Sequence, residues 1–209
     1  MASNNGNLIL VVGPSGVGKG AVMHGLVKVL PRLKFLVTCT TREVRPGEVN
    51  GTDYHFIPKA EFEDGIKRGE FLEHDHHYDN YYGTRRKDVE GILHTGTDAL
   101  SDLNWAGVKQ ILPKMPRQVL TLLVLPPSLQ ALEDRLNKRQ AMGGKPLSQE
   151  RMDKIRDDMN HLDDPNYVFT NPDMIGSRLR DYDYIVVNED LDTTITNLAS
   201  VIEKLRTAR

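Results

Sequence analysis

A glycine-rich stretch near the start of the chain ends in a lysine and has the residue types that bind phosphate. It fits the pattern G-x-x-x-x-G-K and consists of Gly13, Pro14, Ser15, Gly16, Val17, Gly18 and Lys19. Glycines let backbone N–H groups turn inward around phosphate oxygens without a Cβ clash. The lysine supplies a mobile positive charge for β- and γ-phosphates. These residues predict a binding loop for a nucleoside triphosphate.

The residues on either side of this loop have the pattern that a phosphate-binding loop requires. Residues 7–12 predict a buried strand, and residues 19–30 predict a helix whose positive N-terminal end faces the phosphates. An ordinary glycine-rich turn is the alternative, but it needs neither the lysine nor this context. Gly20 stands where Ser or Thr usually binds Mg²⁺, so we expect Mg²⁺ to be held through water and the phosphates.

Arginines are concentrated in two parts of the chain. Arg42 and Arg45 flank a predicted turn, and Arg135, Arg139 and Arg151 recur in one later region. The net charge is −2, from 27 Lys and Arg against 29 Asp and Glu, which does not favour a nucleic-acid partner. Clustered guanidinium groups in a nearly neutral protein predict recognition of a small polyanion, although a solvated helix face is the alternative.

Short apolar runs alternate with helical stretches along the chain. Strands are predicted at residues 7–12, 35–40, 53–57, 98–103, 119–125 and 181–187. Helices are predicted at residues 19–30, 59–68, 86–95, 127–139, 148–159 and 192–205. This alternation predicts an α/β fold with a mostly parallel central sheet flanked by helices. Such sheets bind ligands beyond the carboxyl ends of their strands.

Composition excludes several classes of protein. Apolar runs such as residues 120–125 are far too short to cross a bilayer, and residues 1–7 show no basic region typical of a secretory signal. Cys39 is the only cysteine, so no intramolecular disulfide can form. We expect Cys39 to be a small buried residue rather than a nucleophile. We therefore expect a single cytoplasmic domain with no membrane partner.

Longer motifs follow the phosphate loop in a fixed order. TTREVRPGEVNGTDYHF occupies residues 40–56, GEFLE residues 69–73, NYYGT residues 80–84, DLNWAG residues 102–107, PPS residues 126–128 and VNED residues 187–190. Over nearly the whole chain, this order resembles the guanylate kinase family. The resemblance implies a P-loop nucleoside monophosphate kinase fold in one domain, residues 1–209. It implies a core of about residues 1–36, 94–137 and 151–209, an NMP-binding region of about 37–93 and a lid of about 138–150.

The resemblance also implies an activity and assigns residues to it. The activity is transfer of the γ-phosphoryl group of ATP to GMP or dGMP, with Mg²⁺, giving ADP and GDP or dGDP. The implied catalytic residues are Lys19, Arg42, Arg139 and Arg151. The implied ATP-binding residues are Gly13, Pro14, Ser15, Gly16, Val17, Gly18, Lys19, Gly20, Arg135 and Asn188. The implied GMP-binding residues are Thr38, Arg42, Arg45, Tyr54, Glu73, Tyr82, Thr84, Asp102 and Asn104.

The chemistry of these side chains agrees with the implied roles. Two guanidinium groups and two phenol hydroxyls suit a dianionic phosphate, and the Glu73 carboxylate matches the N1–H and 2-amino donors of guanine. Asp102 is expected to orient Mg²⁺ waters, and no direct metal ligand is assigned. Asn104 replaces an aspartate that is common in the family, and Thr38-Cys39 replaces a serine-rich pair. The preferred base and the sugar form are therefore left open.

Two other functions fit part of this pattern. The first is a kinase of the same fold that acts on a modified purine nucleotide or a phosphorylated sugar. The second is a non-catalytic module that binds a phosphorylated peptide, but such modules have typically lost the phosphate loop that is intact here. Residues 163–179 form a longer segment than the resemblance implies, and we expect them to be a solvent-exposed insertion. Nothing in the sequence indicates the oligomeric state.

Overall fold

The computed structural model describes residues 5–77, 79–143 and 146–207. The strands are β1 Leu8–Val12, β2 Leu33–Phe35, β3 Cys39–Thr40, β4 His55–Phe56, β5 Phe71–His77, β6 Asn80–Arg85, β7 Asp98–Asp102, β8 Val119–Leu125 and β9 Tyr184–Val187. The α-helices are α1 Lys19–Val29, α2 Lys59–Lys67, α3 Arg86–Leu93, α4 Trp105–Ile111, α5 Leu129–Ala141, α6 Gln149–Asn160 and α7 Leu191–Thr207. No helix among these residues is long and apolar enough to cross a membrane.

A five-stranded sheet has the order β2-β7-β1-β8-β9. Strands β1 and β8 consist almost entirely of apolar residues and are buried along their whole length, as expected for strands covered on both faces. β2 pairs with β7 in parallel, and β8 pairs with β9 in parallel. The predicted α/β fold, with a mostly parallel sheet flanked by helices, is confirmed.

A second sheet of four strands has the order β4-β3-β6-β5. β5 and β6 form an antiparallel pair in which Glu73 lies opposite Thr84. This hairpin was not predicted, because β5 carries mostly charged residues and histidines and lacks a regular apolar alternation. The predicted single strand at residues 35–40 was wrong. The first strand ends at Phe35, and Cys39–Thr40 belongs to the second sheet.

The only cysteine of the chain lies in the core of this second sheet. Cys39 is fully buried beside Phe62 and Phe71, whose rings stack with their centroids 4.2 Å apart. Burial raises the pKa of the Cys39 thiol to about 11. The prediction of a small buried residue is confirmed.

The chain divides into two compact units. The first unit comprises Met1–Ile9, Arg32–Ser101 and Gly107–Val119 and contains the four-stranded sheet. The second unit comprises Leu10–Pro31, Asp102–Ala106 and Leu120–Arg209. The predicted division into core, NMP-binding region and lid stays a prediction. Its core includes residues 1–4 and 208–209, and its lid includes Gly144 and Lys145, which all lie outside the described residues.

Helices of the second unit begin at the residues that their sequence indicates. The hydroxyl of Ser128 accepts a hydrogen bond from the N–H of Ala131 at the start of α5. The hydroxyl of Ser148 accepts one from the N–H of Arg151 at the start of α6. Both serines are N-cap residues, because a serine hydroxyl satisfies a backbone donor that has no partner within the helix.

Residues 163–179 are packed into the second unit, which corrects the expectation of a solvent-exposed insertion. The side chains of Phe169, Asn171, Met174 and Ser177 are all buried. The backbone N–H of Phe169 donates to the carbonyl oxygen of Ser177, and the carbonyl oxygen of Phe169 accepts the N–H of Gly176. The segment therefore forms a closed loop with its own buried residues.

A buried carboxylate holds this segment against α6. Asp158 is 3% exposed and accepts hydrogen bonds from the N–H and hydroxyl of Thr170 and from the N–H and side-chain amide of Asn171. It also accepts from the hydroxyl of Tyr167. A buried carboxylate is tolerated because each oxygen has donors directed at it.

Asp158→Ala is expected to lower the free energy of unfolding by about 3 kcal/mol, because the donors of Thr170 and Asn171 lose their acceptor inside the protein. Urea denaturation measures this loss. The control is Asp163→Ala, which removes an exposed carboxylate from the same part of the chain and should change the stability by less than about 0.5 kcal/mol. Equal effects of the two substitutions would contradict this role of Asp158.

Candidate active site

Strand β1 leads directly into the predicted phosphate loop in the second unit. Gly13 and Gly18 have φ angles of 151° and 100°, which L-residues with a side chain rarely adopt. A Cβ atom at Gly13 would collide with the carbonyl oxygen of Val124, and one at Gly18 would lie 2.7 Å from the side-chain nitrogen of Asn188. Only glycine fits at these two positions.

Lys19 begins α1, and its side chain turns back over the loop. Its Nζ donates to the carbonyl oxygen of Gly13 at 2.7 Å and to that of Pro14 at 3.4 Å. Burial lowers the pKa of Lys19, while the nearby carboxylates of Asp173 and Asp102 oppose this effect. The lysine is therefore a poorly solvated cation that gains from a neighbouring anion.

Two predicted ATP-binding residues lie against the backbone of the loop. Arg135 of α5 donates to the carbonyl oxygens of Val17, at 3.0 Å, and Asn188, at 2.7 Å. The side-chain amide of Asn188 donates to the same Val17 oxygen at 2.8 Å. Its Oδ1 is buried and has no hydrogen-bond partner among the described residues. Both side chains support the loop through the carbonyl oxygen of Val17.

Arg151 reaches the loop from α6. Its Nη2 donates to the hydroxyl of Ser15 at 2.9 Å and to Asp173 Oδ1 at 2.8 Å. Asp173 Oδ2 in turn accepts the backbone N–H of Ser15 at 2.9 Å. Arg151, Asp173 and the loop thus form one connected group.

A cavity opens over the loop within the second unit. Its lining residues are Ser15, Gly16, Gly18, Lys19, Gly20, Asp102, Leu103, Asn104, Arg135, Arg139 and Asp173. The structure therefore brings Arg139, Asp102 and Asn104 together with the loop. Asp102 and Asn104 belong to this unit, whereas the other predicted GMP-binding residues belong to the first unit.

The predicted phosphate-binding arginines of the first unit both contact Glu48. Arg42 makes two hydrogen bonds of 2.8 Å to the two carboxylate oxygens of Glu48. The backbone N–H of Arg45 donates to Glu48 Oε2, also at 2.8 Å, while its side chain is exposed. The hydrogen bonds from Arg42 and Arg45 lower the pKa of Glu48 to about 2. Paired arginine donors of this kind suit a carboxylate or a phosphate equally well.

Aromatic rings surround the Arg42 guanidinium group. Its central carbon lies 5.4 Å from the ring centroid of Tyr54 and 5.5 Å from that of Phe56. The rings of Tyr54 and Tyr82 are 6.2 Å apart, and the Glu48 and Tyr82 side chains both raise the pKa of Arg42. The predicted phosphate-binding residues Arg42, Tyr54 and Tyr82 therefore lie together.

Glu73 and Thr84 face each other across the β5–β6 hairpin. The hydroxyl of Thr84 donates to Glu73 Oε1 at 2.6 Å, and both side chains are buried. Burial raises the pKa of Glu73 to about 7. Thr38 is partly buried, and its carbonyl oxygen accepts the N–H of His55, which begins β4. Glu73 and Thr84 therefore form a buried polar pair in the first unit.

Comparisons with known proteins identify the family of the chain. The family model described as guanylate kinase matches residues 5–205. The chain belongs to the guanylate kinase family. The guanylate kinase of Rhodopseudomonas palustris is 37% identical over 98% of this chain and 86% of the relative. That of Rickettsia bellii is 34% identical over the full length of both.

A solved structure supports the fold of the family. The crystal structure of guanylate kinase from Anaplasma phagocytophilum matches with a TM-score of 0.66 and 24% identity, over 99% of this chain and 89% of that one. The predicted family and P-loop kinase fold are confirmed, and with them a nucleotide-binding transferase of the nucleoside monophosphate kinase class. The family match does not favour a non-catalytic phosphopeptide module.

Two contacting residues of these sites were missed in the sequence. Glu48 lies within the motif at residues 40–56, where its acidic side chain gave no indication that it would pair with Arg42. Asp173 follows Asn171 and Pro172 in a segment that has no helical or strand periodicity. Only the packing of residues 163–179 brings Asp173 to the loop.

Glu73→Gln is expected to stabilise the nucleotide-free protein at pH 8 by about 3 kcal/mol. The folded-state pKa of Glu73, about 7, lies above the unfolded value of 4.5, so the folded protein binds this proton more tightly. The stabilisation from that proton is fully present below pH 4.5 and is lost as the pH rises through about 7. The difference in the free energy of unfolding between Glu73→Gln and the original protein should therefore grow as the pH rises from 4.5 to 8.

Urea denaturation between pH 4.5 and pH 8 measures this advantage. Glu189→Gln removes an exposed carboxylate and is the control, because it should show no comparable pH-dependent gain. A constant difference between Glu73→Gln and the original protein across this pH range would show that Glu73 is not protonated preferentially in the folded state.

Proposed function

We propose that the protein transfers the γ-phosphoryl group of ATP to GMP or dGMP and releases ADP with GDP or dGDP. The observation that carries this proposal is the convergence of Lys19, Arg139 and Arg151 on the loop that begins at Gly13. Such a group of donors matches the charge of a triphosphate chain. The names of the relatives support the choice of acceptor.

The loop and its surrounding cations form the donor site in this proposal. The loop amides and Lys19 bind the β- and γ-phosphates, and Arg139 and Arg151 neutralise charge that develops on the transferred group. Arg135 and Asn188 keep the loop in shape through the carbonyl oxygen of Val17. These residues act on the donor by position and charge.

Arg42, Arg45, Tyr54 and Tyr82 bind the acceptor phosphate in this proposal. The two oxygens of Glu48 take the paired hydrogen bonds of Arg42 that a phosphate can also accept. Holding the acceptor by its phosphate fixes the position of the oxygen that attacks the γ-phosphorus.

Glu73 and Thr84 read the base of the acceptor. An ionised carboxylate accepts hydrogen bonds and donates none, so Glu73 matches the N1–H and 2-amino group of guanine and mismatches adenine at N1. Ionisation is favoured when these two donors reach the buried carboxylate, because hydrogen bonds to the charged form lower a pKa. Thr38, Asp102 and Asn104 complete the set of residues that we propose for the acceptor.

Direct phosphoryl transfer needs no covalent intermediate on the protein. An acceptor oxygen held in line with the γ-phosphorus attacks it, and the bond to the β-phosphate bridging oxygen breaks. The protein contributes positioning and charge neutralisation, which can account for most of the acceleration of such reactions. The predicted core, NMP-binding region and lid are part of this proposal.

The residues of the second-unit cavity fit a Mg²⁺ ion bound mainly to the nucleotide. Gly20 offers no hydroxyl, and no group of three or more His, Cys, Asp and Glu residues suited to a metal ion occurs among the described residues. Asp102 is exposed and lines the cavity, so it can hold waters of the ion. When bound, Mg²⁺ supplies charge neutralisation to the phosphates.

A coupled assay of ADP release tests the proposal. With ATP and Mg²⁺ present, adding GMP or dGMP should start ADP formation, whereas AMP should give a much lower rate because it lacks the donors that Glu73 accepts. ADP formation that does not depend on GMP or dGMP would remove the proposed activity.

Lys19→Ala is expected to lower kcat by about 100- to 1000-fold while the fold is retained, because the lysine charge is needed mainly by the phosphates. The same coupled assay measures the rate, and circular dichroism checks the fold. Lys28→Ala is the matched control, since Lys28 is an exposed lysine in the last turn of the same helix. A rate close to that of the original protein would exclude Lys19 from the donor site.

A further inference from the structure

The side chain of Asp173 makes the contacts that a phosphate group makes in a loop of this kind. One carboxylate oxygen accepts the backbone N–H of Ser15 at 2.9 Å, and the other accepts Nη2 of Arg151 at 2.8 Å. The same Nη2 also donates to the hydroxyl of Ser15. An anion from within the chain is thus bound to a loop amide and to a predicted catalytic arginine.

We propose that Asp173 competes with the donor triphosphate for the phosphate loop and thereby sets the affinity of the protein for the donor. Binding of the phosphates displaces the carboxylate from Ser15 and frees Arg151 to contact them. The inference goes beyond the proposed activity and rests on its assignment of the donor to this loop.

The chemistry of the contact makes simultaneous binding unfavourable. The N–H of Ser15 has a single hydrogen, so a phosphate oxygen and Asp173 cannot both form a strong bond with it. A carboxylate within the cavity also repels the phosphates, and the cavity walls limit the screening of that repulsion by water. The donor must therefore replace Asp173 at this position.

The backbone around Asp173 holds the carboxylate in place. The N–H of Asp173 donates to the side-chain oxygen of Asn171 at 3.0 Å, and its carbonyl oxygen accepts the N–H of Trp105 at 2.9 Å. Asn171 and Met174 are each 1% exposed. The Asp173 side chain is 18% exposed, so it can turn away from Ser15 by rotation about its own bonds while the backbone stays fixed.

The charges around the loop explain why a negative group is favoured there. Lys19 is poorly solvated, and Asp173 is the carboxylate that most opposes the resulting loss of its charge. Arg151 retains a further donor, Nε, that is buried and has no partner among the described residues. Asp173 therefore balances charge but leaves a guanidinium donor unused. A triphosphate brings both more charge and more acceptors.

Calorimetric titration with ATP and with inorganic tripolyphosphate, in the absence of an acceptor nucleotide, tests the proposal. The variant is Asp173→Asn, which keeps the size of the side chain and the backbone contacts to Trp105 and Asn171 but removes the charge. Both ligands should bind on the order of tenfold more tightly to this variant, because displacing a neutral amide costs less than displacing a charged hydrogen-bonded group.

The matched control is Asp163→Asn, which removes the same charge from an exposed position in the turn that follows α6. This variant should bind both ligands with unchanged affinity, so a gain confined to Asp173→Asn identifies a local effect. A general effect of net charge would strengthen binding equally in both variants and would overturn the proposal.

Other outcomes are equally decisive. Unchanged or weaker binding by Asp173→Asn would overturn the inference and would show that the carboxylate only positions Arg151. Loss of folding in both Asp173→Asn and Asp173→Ala, seen by thermal unfolding, would show a structural ion pair and would also overturn it. Failure of the unaltered protein to bind either ligand would instead remove the donor site on which the proposed function depends.

Discussion

The second unit depends on positively charged side chains that are held close to the backbone of the loop that begins at Gly13. Lys19 is drawn onto the carbonyl oxygens of its own loop, and Arg151 is paired with Asp173. A poorly solvated cation is costly unless an opposite charge or a set of acceptors lies near it. The helices that carry these side chains therefore hold opposite charges close to the loop.

The first unit uses the same principle with different residues. Arg42 pairs with both oxygens of Glu48, and the rings of Tyr54 and Phe56 flank its guanidinium group. The carboxylate holds the guanidinium group in an orientation that is also suitable for a phosphate, which reduces the entropy lost when such a ligand binds. In each unit, an acidic side chain orders a basic one.

The parts of the fold with regular periodicity could be predicted from the sequence. β1, α1 and β8 have long apolar runs or a helical pattern next to a distinctive loop, and their positions agreed closely with the structure. The β5–β6 hairpin could not be predicted, because it depends on the hydrogen bond between Glu73 and Thr84 and on the packing of Phe71 with Cys39 and Phe62, which are separated in the sequence. Local pattern does not report such pairings.

The same limit applies to the residues that contact the site. The loop glycines and Lys19 form a contiguous motif, so the sequence alone predicts that they lie together. The contact of Asp173 with Ser15 joins residues 158 positions apart and depends on the hydrogen bonds that Asp158 makes to Thr170 and Asn171. A segment without periodicity gave no sign of this arrangement, which follows from side-chain hydrogen bonds that only the folded chain reveals.

The reactivity of Cys39 reports on the opening of the second sheet. Its thiol is fully enclosed beside Phe62 and Phe71, and it has no competing cysteine anywhere in the chain. An alkylating reagent can therefore reach the sulfur only when strands β3 and β6 separate or when Phe62 and Phe71 move away from it. The labelling rate of the unmodified protein measures how often this sheet opens, and any compound that tightens the sheet slows that chemistry without touching the cysteine itself.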